Sequence, residues 1–96
     1  SAGKASNSTV IPVGLAYDIA YTAKPNIKLH HPDGTHPGPL GTYLAAATVV
    51  ASITEESPVG LEFNYYGSVD EENRLFLQEI AWKAYLQSKK ELSLHN

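Results

Sequence analysis

Three of the chain's four histidines, His30, His31 and His36, fall within seven positions, and Asp33 lies among them. These residue types support two chemistries. The first is acid–base work, since a neutral imidazole is an effective general base near neutral pH. It works best when its other ring nitrogen donates to a carboxylate that fixes the tautomer and balances the imidazolium. Asp33-Gly34-Thr35-His36 sets carboxylate and ring three residues apart in a turn-prone stretch, and Pro32 and Pro37 bracket it. Such a pair is two members of a Ser-His-Asp triad. The second chemistry is metal binding by His30 or His31 with Asp33 and His36, because imidazole and carboxylate suit zinc or iron. The spacing fits no firm metal template. A third reading needs no chemistry: Asp-Gly is a turn pair and His-Pro punctuates loops.

The elements that must position this loop follow from periodicity. Thr9-Val10-Ile11-Pro12-Val13 is β-branched and is followed by Gly14, the pattern of a short buried strand. Pro12 restricts that strand to an edge or an end. Leu15, Ala16, Ile19, Ala20 and Ala23 recur at helical spacing until Pro25 interrupts them. Residues 26–41 form the Pro-, Gly- and His-rich loop. A second helix should open at Pro39, where the missing N–H costs nothing, with Leu40, Leu44, Ala47, Thr48 and Ala51 on one face as far as Ile53. Another loop spans 55–67 and includes Phe63, Tyr65 and Tyr66, which suit the anchoring of a connecting segment better than the lining of a pocket. Ser68-x-x-Glu71 reads as a capping box. It opens a third helix to about Lys90 with a buried stripe of Leu77, Ile80, Ala81, Ala84 and Tyr85. Phe76 and Trp82 should flank that stripe, and Lys89 and Lys90 should favour the helix dipole.

Composition narrows the classes. With 96 residues there is room for one small domain, and with 43% hydrophobic residues the chain is too apolar for a disordered tail. The absence of cysteine excludes disulfides, zinc–thiolate sites and thiol nucleophiles. A net charge of −3, with neither sign in a long block, argues against a nucleic-acid partner. No apolar stretch approaches the roughly 20 residues of a membrane span. Ser1 to Ser8 reads as a polar lead or linker without the apolar segment of a signal peptide. One strand and three helices is an odd inventory, because a lone strand needs sheet partners from elsewhere.

The stretch Asp33-Gly34-Thr35-His36-Pro37, followed by Gly41-x-x-Leu44-Ala45-Ala46 on a helix, resembles the C-terminal catalytic block of the SGNH (GDSL-type) hydrolases. Val10 to Gly14 and the next helix look like the strand and helix that precede that block. Ser57-Pro58-Val59-Gly60-Leu61 resembles a segment that follows it in bacterial SGNH-like proteins. The resemblance spans roughly residues 9 to 61. It implies an α/β three-layer sandwich in the parent protein, of which residues 9–96 supply a mainly α C-terminal part. It also implies His36 as the base toward a nucleophilic serine, Asp33 as its orienter, and no cofactor. The substrate class would be a small ester or an acylated carbohydrate.

The same resemblance exposes what is missing. The family's Gly-Asp-Ser-like block and the Gly and Asn of its oxyanion hole have no counterpart here, and there is no Gly-x-Ser-x-Gly elbow. The expectation is therefore an incomplete hydrolase, inactive alone, whose sheet and serine come from an upstream segment or another copy. A non-catalytic oligomerising module and a small His/Asp metal-binding protein are the alternatives.

Overall fold

The computed structural model describes residues 11–30, 38–62 and 69–94, with backbone only for 92–94. It contains three helices: α1 (Val13–Ala23), α2 (Pro39–Thr54) and α3 (Glu71–Leu94). Each packs against the other two. The fold of the described residues is thus mainly helical, and no strand occurs among them.

The strand expected over Thr9–Val13 is not formed within the described part. Val13 is the first residue of α1, and the Pro12 carbonyl accepts the first helical bond from the Ala16 N–H at 3.0 Å. Proline at a helix entrance loses nothing, since that N–H has no helical partner in any case. The helix signal therefore starts two residues before Leu15, and Thr9 and Val10 lie outside the described residues. At the other end Pro25 forces Lys24 out of the helical region, to φ −137° and ψ 86°. A turn closed by Ile27 N–H to the Lys24 carbonyl, at 3.0 Å, then reverses the chain.

α2 opens with Pro39 at its first position, as its sequence requires. Its buried face contains Thr48 and Ser52, whose hydroxyls donate back to the Leu44 and Thr48 carbonyls at 2.7 and 2.8 Å. This satisfies both groups without a partner from another helix. α3 is capped by Asp70, whose Oδ1 accepts from the Asn73 N–H at 2.8 Å. Ser68 lies outside the described residues. Glu71 and Glu72 follow in the first turn, at the positive end of the dipole. The helix continues to Leu94, so Lys89 and Lys90 fall short of its last turn, which holds no basic residue.

The core joins Ala16 and Ala20 of α1, Tyr43, Leu44 and Ala47 of α2, and Leu77, Ile80, Ala81 and Ala84 of α3, with Leu29 and Val69 from the connections. Small residues on all three helices let the backbones approach closely. Phe76 and Trp82 are half-buried at the stripe's flanks, as their positions predict.

Lys89 has a specific partner. Tyr85 Oη donates to Glu55 Oε1 at 3.0 Å and Lys89 Nζ approaches the same oxygen at 3.4 Å, tying α3 to the left-handed residue that ends α2. The Tyr85 hydrogen bond first, and the Lys89 hydrogen bond and charge after it, hold the Glu55 carboxyl below its ordinary value of 4.5. The folded state therefore binds this proton less tightly than the unfolded state. The contribution is in place above the ordinary value and is lost as pH falls through the depressed one. Glu55→Gln is expected to narrow the difference in melting temperature between pH 7 and pH 3. The readout is Trp82 fluorescence, since that ring stacks on Tyr85 with centroids 5.4 Å apart. An unchanged difference would remove Glu55 from the acid response.

Candidate functional site

The segment singled out by its chemistry is anchored at both ends. The chain leaves α1 through Leu29 and His30 and re-enters at Gly38, whose N–H donates to the Leu29 carbonyl at 2.8 Å. His31, Asp33 and His36 lie between these anchors, outside the described residues. His30 is described, and it is held by side chains of α1.

Tyr17 and Tyr21 stand one turn apart on α1, on the same side of the helix, and both reach His30. The Tyr21 hydroxyl lies 2.7 Å from His30 Nδ1. With the imidazole neutral and its proton on Nε2, the phenol donates to Nδ1. The two rings are within 4° of parallel, but their centroids are 6.0 Å apart. That separation belongs to an end-on hydrogen bond and is too long for face contact. Tyr17 meets the same imidazole edge-on at 5.4 Å. Burial, and then the neighbouring Tyr21, raise the Tyr17 phenol above its usual value, so it stays protonated at neutral pH and is no base.

Gly41 completes the anchor. A Cβ at this position would lie 2.1 Å from the Leu29 carbonyl oxygen and 2.7 Å from Tyr17 Oη. Only glycine lets the first turn of α2 sit directly on the outgoing limb of the loop. In the amino-acid order Gly41 stands in the Gly41-x-x-Leu44-Ala45-Ala46 pattern, which carries no trace of this contact.

A second support was not legible beforehand. Gln78 is 1% exposed, and its Nε2 donates to the Leu61 carbonyl and the Tyr43 hydroxyl, both at 2.9 Å. Its Oε1 accepts from the Gly60 N–H at 2.9 Å. Arg74 also donates to the Leu61 carbonyl. One buried carboxamide thus fastens the Ser57–Leu61 segment to α2 and α3, with Pro58 fully buried and Gly60 at φ +100°. A lone glutamine on a helical stripe carries no sequence signal of this role.

Two of the described serines have their hydroxyls engaged locally. Ser52 is buried and donates to the Thr48 carbonyl, and Ser57 Oγ accepts from the Val59 N–H. Among the described residues no group of three or more His, Cys, Asp or Glu side chains is placed to hold a metal ion. No helix among them is long and apolar enough to cross a membrane. No family model, curated protein or solved structure matches this chain.

Proposed function

We propose that this chain is the C-terminal part of an SGNH-type serine hydrolase, in which His36 is the general base, Asp33 orients it, and the serine comes from a segment outside these residues. The observation that carries the reading is α2, which begins three residues after His36 in the chain. Its sixteen residues include no charged side chain. One face is buried through Tyr43, Leu44, Ala47, Thr48 and Ala51. The opposite face presents Thr42, Ala45, Ala46, Val49 and Ile53, half-buried or exposed, with Ile53 at 65%. A helix apolar on both faces belongs between two layers. In a three-layer α/β parent the second layer is the sheet, against which small and β-branched side chains pack well.

In this reading His36 removes the serine proton as the oxygen attacks an ester carbonyl. The alcohol then departs, and water hydrolyses the acyl-enzyme. The test is labelling of the longer protein that carries this segment by a fluorophosphonate serine probe. Labelling should disappear in His36→Ala and fall strongly in Asp33→Asn. Undiminished labelling of His36→Ala would defeat the assignment.

The same uncharged α2 face favours a second reading, a non-catalytic module that self-associates through it. Light scattering separates the two: a dimer of the 96-residue chain that Ile53→Lys converts to monomer would support the module.

A further inference from the structure

An open cleft of about 530 Å³ is lined by Lys24, Pro25, Asn26, Ile27, Lys28, Leu40 and Asn73. Its size falls in the range of small-molecule pockets, roughly 300–1,000 Å³. Its lining combines Pro25, Ile27 and Leu40 with two lysines, whose stems are themselves apolar, and two asparagines.

The charges around it are unevenly matched. Lys24 Nζ lies 4.3 Å from the Phe76 ring centroid and 3.9 Å from Glu72 Oε2, a partner that is 86% exposed. Asp70 spends Oδ1 on the Asn73 N–H. Among the described residues Lys28 has no ion-pair partner. An apolar trough with an unmatched cation at its edge fits a ligand that is itself divided, apolar along its length and anionic at one end.

We propose that this cleft binds a medium-chain carboxylate, its alkyl chain on Ile27 and Leu40 and its head group at Lys28. The binding stands on the cleft alone; only its meaning as the site of an acid product rests on the hydrolase reading above. Decanoate, below its micellar concentration, is the probe, and two-dimensional amide NMR of the 96-residue chain is the measurement. Decanoate should shift the amides of Ile27, Lys28, Leu40 and Asn73 saturably, and decanol should bind about tenfold more weakly. Lys28→Glu, a change at an exposed residue, should weaken decanoate by a similar factor and leave the rest of the spectrum in place. Equal binding of decanol, saturable shifts confined to other residues, or unaltered affinity in Lys28→Glu would each overturn the proposal. Undiminished labelling of His36→Ala in the hydrolase experiment would leave it untouched, so the two readings fail separately.

Discussion

Replacing Gly41 by alanine is expected to lower the melting temperature by about 10 °C, against the usual trend for glycine in a helix. Alanine ordinarily gains about 0.5–1 kcal/mol at such a position through backbone entropy and propensity. Here the added methyl would meet the Leu29 carbonyl oxygen at 2.1 Å, and that atom belongs to a backbone that already accepts from Gly38. A flexible side chain can swing away from an overlap, whereas this carbonyl moves only if α1's exit and α2's first turn separate. Overpacking of this kind costs about 3 kcal/mol. The net loss of about 2 kcal/mol corresponds to the stated shift for a domain of this size. Gly14→Ala is the internal control, because nothing lies within 4 Å of its Cβ position. It should raise the melting temperature slightly. Circular dichroism melts of both variants decide the matter: Gly41→Ala melting at or above the parent would show that the close approach is not maintained in solution. The separation should also disturb Tyr21 and His30, so the contact between Leu29 and Gly38 would weaken as stability falls.

The second large effect is expected at Gln78. Gln78→Leu keeps the volume and apolar character of the stripe but deletes three hydrogen bonds at once. The Leu61 carbonyl retains Arg74, whereas the Gly60 N–H loses its acceptor. Buried groups stripped of partners cost about 1–3 kcal/mol, and a loss of about 2 kcal/mol is expected from urea unfolding. The slope of the unfolding transition should stay constant, which distinguishes lost stability from a changed unfolded state. Gln78→Glu gives a sharper signature. Its carboxylate can still accept from Gly60, but it faces the Leu61 carbonyl with no proton to donate. Burial and this repulsion raise its folded pKa above the ordinary glutamate value of about 4.3. The folded state then binds the proton more tightly than the unfolded state, so the variant loses stability as pH rises. Gln78→Glu should therefore lie closer to the parent at pH 4 than at pH 7. A gap that stays constant between these values would mean the side chain is solvated and not part of a closed network.

Local regularities were readable in the amino-acid order, and tertiary contacts were not. The α3 stripe of Leu77, Ile80, Ala81, Ala84 and Tyr85 is buried as spaced, because helical periodicity is a property of neighbours along the chain. Pro39 opens α2 and Pro25 ends α1 for equally local steric reasons. Val13 shows the limit of local pattern. β-branched residues suit a strand only where a ladder exists, and Pro12 instead starts a helix. Asp70, immediately before Glu71, supplies the cap through its own carboxylate, a local contact that any of several neighbouring acceptors could make on sequence alone.

Asp33 and His36 are named by residue type and spacing alone, since acid–base chemistry needs those groups in that order. The supports around them come from three-dimensional proximity. Gly41 meets Leu29 and Tyr17, Gln78 meets Gly60, Leu61 and Tyr43, and Glu55 meets Tyr85 and Lys89. Each joins residues far apart in sequence, whose distance depends on how three helices pack. Sequence by itself determined where the helices lie and which side chains can carry a proton. Only the tertiary structure decided which glycine must stay bare and which buried amide must stay polar, because both depend on the space left between helices.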